Sequence, residues 1–271
     1  MSTRLTHDGV HLSSIWQINR LPEAIKHGFY CSLIPLTLLP EPCTVTTQEA
    51  GGQQDLSIRI RCPENAPFVE IDVRHADDPR DPVLYVQMAD TSSGQLEVLL
   101  VRVVDPHAPR FDIDRDWRGE TTKLGTLTRN IPAEIGAMDA GLAPGQVRRG
   151  LRLSRELIPV MERFTAGLGK DRFFIEPLAY HNAIMFERYG FAYMVGHRKM
   201  EEIQAGFQPG GALFEQLDGS TPFRQPGAER SVRGRSWAIH DGILGEPWAD
   251  VRMYKRIGHC ADVCTFPNAT Y

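Results

Sequence analysis

Long apolar runs are missing from this sequence. The longest, around Cys31–Leu39, is interrupted by Pro35 and is too short to span a bilayer, so no membrane partner is expected. A dominant sign of charge is missing too. Thirty basic and 34 acidic residues leave a net charge of −4, and the basic residues are spread along the chain, which argues against a nucleic-acid partner. There is no Walker phosphate loop, no Gly-rich dinucleotide fingerprint and no Ser-nucleophile elbow. The opening MSTRLTHDGV lacks a basic start followed by an apolar core, so no secretion leader is expected. Cysteine is sparse and odd in number: Cys31, Cys43, Cys62, Cys260 and Cys264. Without a leader, that count points to reduced thiols and a cytoplasmic location. What remains is an ordinary globular make-up. The 271 residues, 42% hydrophobic and 24% charged, suffice to bury a core as one large domain or two small ones.

Two patterns divide the chain. Residues 1–128 are strand-rich. Leu56–Arg61 and Phe68–Arg74 alternate apolar and polar residues, the period of a half-buried strand. Val83–Ala89 and Leu96–Val104 flank Asp90-Thr-Ser-Ser-Gly94, which has turn chemistry, so a hairpin is expected. Phe111–Asp114 predicts a further short strand, and Leu21–Ile25 the start of a short helix. From 129 the character changes. Ala133–Leu142 predicts a strand rich in small residues, broken by Pro144-Gly145. Leu153, Leu157, Val160, Met161, Phe164 and Leu168 share one helical face, with Pro159 expected to kink it and Gly167 and Gly169 to stop it. Arg172–Pro177, Phe191–Gly196 and Val251–Ile257 predict strands, and Asn182–Tyr189 a short helix closed by Gly190. Gly and Pro fill an excursion at about 206–247.

Three segments resemble the GNAT superfamily of acyl-CoA-dependent N-acyltransferases. Leu142-Ala-Pro144-Gly-Gln-Val-Arg-Arg-Gly150-Leu-Arg152 is similar to that family's strand-to-helix loop. Phe186-Glu-Arg-Tyr-Gly190-Phe191 is similar to its aromatic-x-x-x-Gly-Phe signature. Val251-Arg-Met-Tyr-Lys-Arg-Ile257 is similar to its closing strand. The resemblance implies an α+β fold: a mixed, mostly antiparallel sheet flanked by helices, with 129–271 as the acyl-CoA-binding half. It implies acetyl-CoA or another acyl-CoA as co-substrate and a small-molecule or peptide amine as acceptor. Residues 1–128, as a part of the same sheet or a small subdomain, would replace the family's acceptor-binding helices or pair with a second subunit in a homodimer.

By the same resemblance, the CoA diphosphate would lie on Leu142, Arg148, Arg149, Gly150, Leu151 and Arg152, with Asn182 either contributing or only capping its helix. A helix N-terminus suits pyrophosphate because its N–H groups are unpaired and its dipole is positive. Glu134 and Asp139 are the candidate bases, on opposite faces of the expected strand, so only one can face a cleft. Phe186 stands in register with the family's general acid and cannot donate a proton; Tyr189 or Tyr180 would have to replace it. Val147 and Arg152 also depart from the family's loop, where Gln or Arg and then Gly or Ala are usual. These departures keep open a second outcome, a GNAT-like binding or structural protein without transferase activity. His240 and Trp237, in the excursion, are candidate substrate contacts by fold analogy. His259, Cys260 and Cys264 fall short of a zinc ligand set. Asp112, Asp114 and Asp116 lack the glycine of a calcium loop, and His75 with Asp77 and Asp78 predicts a polar turn.

Overall fold

The computed structural model describes residues 4–39, 56–123 and 128–271. Cys43 and the start of the strand-rich region near 45 lie outside them. The protein is α+β, with a seven-stranded mixed sheet flanked by helices. Two compact units divide the chain, and they interleave in sequence rather than meeting at 128 and 129.

The first unit comprises 1–107, 150–175 and 254–259. It opens with a tight hairpin, β1 (Thr6–His7) and β2 (Val10–His11), turned at Asp8-Gly9. Two helices follow, α1 (Ile15–Asn19) and α2 (Glu23–Cys31). Ser14 accepts a hydrogen bond from Gln17 N at the start of α1, and the Asp90 carboxylate accepts from the N–H groups of Ile15 and Trp16. Helix α2 is longer than Leu21–Ile25 suggested, beginning after Pro22, whose φ favours a helix start.

A four-strand antiparallel meander then runs β3 (Leu56–Arg61), β4 (Phe68–His75), β5 (Leu84–Asp90) and β6 (Leu96–Val103). Val69, Ile71 and Val73 on β4, and Leu84, Val86 and Met88 on β5, are buried at every second position, as the alternation requires. Helix α4 (Ser154–Gly167) crosses over to β7 (Arg172–Ile175), which pairs parallel with β6. Leu157, Val160, Met161, Phe164 and Leu168 are buried together as their spacing predicts, and α4 continues through Pro159. In hydrogen-bonded order the sheet is β3-β4-β5-β6-β7-β9-β8, where β8 is Ala192–Val195 and β9 is Arg252–Arg256.

The second unit comprises 108–149, 176–253 and 260–271. Here two expectations are corrected. Ala133–Leu142 is not a strand: Ile131–Asp139 is helix α3. Asn130 accepts from Ala133 N, and Pro132 sits in the first turn, which is a helix-start signal stronger than the small residues that follow it. Phe111–Asp114 forms no strand either. Its acids are drawn into local pairing, with Arg110 binding both Asp112 and Asp114, and Asp116 accepting from the N–H groups of Arg118 and Glu120. The excursion after 206 is not wholly irregular. It follows helix α6 (His197–Gly206) and holds α7 (Val232–His240), capped by Ser231 through Gly234 N.

Helix α5 (Tyr180–Arg188) ends as its sequence predicts. Gly190 takes the left-handed conformation (φ 75°), its N–H bonds Glu187 O, and Phe191 N–H bonds Phe186 O. Phe186 packs on Phe191 with ring centroids 4.9 Å apart, completing a Schellman stop. The Phe186-x-x-x-Gly190-Phe191 segment is therefore explained by helix termination alone.

Candidate functional site

No strand ends at Leu142, which follows helix α3. The strand that leads to the crossover helix is β6, in the first unit. Its antiparallel register with β5 shifts at Leu99, because Gln87 faces Leu100 while Met88 faces Val98: a β-bulge. Its parallel pairing with β7 covers only Leu96–Val98, opposite Phe173–Ile175. Leu99–Val103 continue past the end of that register. Among the described residues no strand occupies that edge of β6 beyond Val98. The burial alternation also stops there, leaving Leu99 exposed and Leu100, Val101 and Val103 half-buried.

The connection into α4 runs beside the end of β6. A Cβ on Gly150 would stand 3.0 Å from Val103 O, so the loop passes close to the end of β6. Helix α4 begins at Ser154 after Leu153, later than the position assigned from Gly150, and no side chain caps it. Arg152, exposed and left-handed at φ 60°, precedes that helix start, and Arg155 lies in its first turn. Cations at a helix N-terminus oppose the macrodipole, and here Glu156 in the same first turn partly offsets them.

The other loop residues do different work. Leu142 is buried and its carbonyl accepts from Trp237 Nε1 at 2.9 Å. Val147 is buried and its carbonyl accepts from Phe111 N. Arg148 is buried and donates to Ala108 O at 3.0 Å, which makes it a tether. Arg149 is exposed. Asn182 lies inside α5 and is not its cap, since that position is Ala179. Tyr189 is the half-buried last residue of the α5 stop. Tyr180 is buried, its hydroxyl 3.5 Å from Arg235 Nη1, and burial pushes its pKa up to about 12. Such a phenol holds its proton firmly.

In the second unit the structure gathers residues that the sequence left apart. Glu134, on the buried face of α3, lies 3.4 Å from His240 Nε2 on α7. Asp139 is exposed on the same helix. The two acids were assigned to opposite faces of a strand; they lie on different faces of a helix instead. Arg129 donates from Nε to Glu134 Oε2 (2.9 Å) and from Nη1 to Asp241 Oδ1 (2.7 Å). Asp241 also accepts from Thr221 Oγ1 and Arg224 Nε. Burial drives the Glu134 pKa upward, but the hydrogen bonds from His240 and Arg129 outweigh it and leave the carboxyl below its usual range. Asp241 is likewise held low against burial, chiefly by Arg129 and Thr221. Trp237 meets His240 edge-on at 5.7 Å and stacks on Phe223 at 5.1 Å. Met138, Leu142, Phe223, Arg233 and Trp237 line a pocket of about 240 Å³. The carboxylate of Glu134 behind the partly exposed imidazole of His240 fixes the orientation of the ring.

A second imidazole in this unit is inert by contrast. His181 is buried, its Nδ1 lies 2.9 Å from Ser236 Oγ, and burial followed by the charges of His240 and Arg233 lowers its pKa to about 4. Sequence reasoning named Glu134, Trp237 and His240 separately, and missed Arg129, Asp241, Phe223 and the His181–Ser236 pair. The only local signal for the cluster was Asn130-Ile-Pro132, which marks the helix that brings Glu134 inward. No family model, curated protein or solved structure matches this chain.

Proposed function

We propose that the protein is a divergent GNAT-like acyltransferase that moves an acyl group from acetyl-CoA or another acyl-CoA to an amine. The observation that carries this reading is the partial parallel pairing of β6 with β7, ending at the Leu99 bulge. An unpaired strand edge accepts an extended ligand with amide groups as it would accept another strand. The pantetheine arm of CoA is such a ligand. The reading places it along Leu99–Val103, where a backbone N–H of β6 would hold the thioester oxyanion. The diphosphate would meet the start of α4, with Arg152 and Arg155 supplying charge, in place of the buried Arg148. On this reading, helices α1 and α2, after the first hairpin, would stand for the pair of helices that the family has after its first strand.

A second reading, acyl-CoA binding without transfer, draws on Phe186, which packs on Phe191 and offers no proton to a departing thiolate. Titration calorimetry with acetyl-CoA and with CoA tests both. Binding that weakens in Arg152→Ala, with acyl transfer to an amine, is expected. No heat at millimolar ligand overturns both readings, and binding without turnover across an amine panel leaves the second.

A further inference from the structure

We propose that Glu23, His27 and Cys62 form a divalent-metal site of the zinc type on the first unit, a role no part of the acyltransferase reading requires. Glu23 and His27 are four residues apart on α2, which puts both side chains on one helix face. Cys62 follows directly on the end of β3. One donor atom from each of the three lies within 4.8 Å of the other two. Carboxylate, imidazole and thiolate are the donors that zinc accepts, and bond lengths of about 2.0–2.3 Å fit inside that triangle.

Two details of the geometry point to a shared ion rather than to a simple ion pair. His27 Nε2 is buried and 3.0 Å from Glu23 Oε1, yet it completes no hydrogen bond there. The atoms are close, but the N–H is not aimed at the oxygen. A metal between them would satisfy both. The other carboxylate oxygen is already held: Lys26 Nζ lies 2.8 Å from Glu23 Oε2 and 3.1 Å from Cys62 O. Lys26 thus fixes the carboxylate and the Cys62 backbone and also hydrogen-bonds the Cys62 thiol, so an ion would take the thiol over from the ammonium while Oε1 faces it directly. Glu23 is exposed and Cys62 is buried, so an ion enters from the Glu23 side and keeps an open position toward solvent. Two anionic donors neutralise its charge.

Cobalt(II) titrated into the reduced full-length chain tests the site, because a thiolate on cobalt gives a strong near-ultraviolet charge-transfer band. One equivalent is expected to produce the band, and zinc to abolish it. Cys62→Ser should remove the band, while Cys260→Ser with Cys264→Ser leaves it unchanged. His27→Gln and Glu23→Gln should each weaken cobalt binding by about 10-fold or more. These two variants keep the test decisive if Cys62→Ser fails to fold. Absence of the band, its survival in Cys62→Ser, or unchanged affinity in both His27→Gln and Glu23→Gln would overturn the proposal. None of these outcomes bears on acyl-CoA binding, which calorimetry reads separately.

Discussion

Both units bury some charged and polar groups, but the sheet of the first hides mainly apolar side chains while the helices of the second enclose paired charges. In the first unit, β4 and β5 bury Val, Ile, Leu and Met on alternate positions, and the backbone satisfies its own polar groups in the ladder. In the second, the interior holds Glu134, His181, Glu187 and Arg235 beside Trp237 and Phe207. Each of these charged or polar groups has a fixed partner. Glu187 accepts from Thr265 N and Tyr193, while Arg235 donates to Gln204 and to Glu229 O and packs on Phe266 at 3.5 Å. A buried charge is tolerable only while its partner stays, whereas an apolar contact can be trimmed piecemeal. The units should therefore fail differently.

Removing one partner gives the largest contrast. Arg129→Ala leaves Glu134 and Asp241 without their shared cation, and a loss of about 3–5 kcal/mol is expected in the second unit. Hydrogen exchange should show lost protection in α3 and α7 with β4 and β5 unchanged. Equal loss in both units would break the comparison.

Acid gives the next effect. The folded-state pKa of His181 lies below its unfolded value, so the stabilisation it represents is complete above about pH 6.5 and is lost as pH falls toward about 4. That window corresponds to about 3 kcal/mol, confined to the second unit. Glu134 and Asp241 extend the loss below their usual pKa values, because both are depressed in the folded state. His181→Gln should flatten the upper part of the profile, as read by exchange of α5 and α7 amides against pH.

Core trimming in the first unit is milder. Ile71→Val should cost about 1 kcal/mol and lower the urea midpoint without altering the pH profile. The smallest effect is expected at the loop. In Gly150→Ala the new methyl would sit 3.0 Å from Val103 O, and a shift of the loop should cost about 1 kcal/mol or less in urea unfolding. If acyl-CoA lies along β6, its affinity should fall further than stability does.

The same contrast explains what was legible. The meander, α4, β7, α5 and β9 were read correctly because each is held by a local period or a local stop signal, such as Gly190 closing α5. Helix α3 is not legible from Ala133–Leu142 because those small residues fit a strand as well as a helix; the deciding signals, Asn130 and Pro132, stand just before it. The Glu134–His240 contact spans more than a hundred residues, and no local pattern encodes it.

By itself the sequence determined the α+β class, most of the strands, the apolar face of α4 and the stop of α5, since hydrophobic periodicity and capping act over a few residues. Only the tertiary structure decided that β6 pairs with β7 for three positions and then runs on with β5 as its one strand partner, that Arg148 is a tether while Arg152 is exposed, and that Glu134 meets His240. Each of those depends on where a distant backbone or a distant charge comes to rest. The free energy that fixes them is the cost of burying polar groups without partners, which a linear pattern of residues does not record.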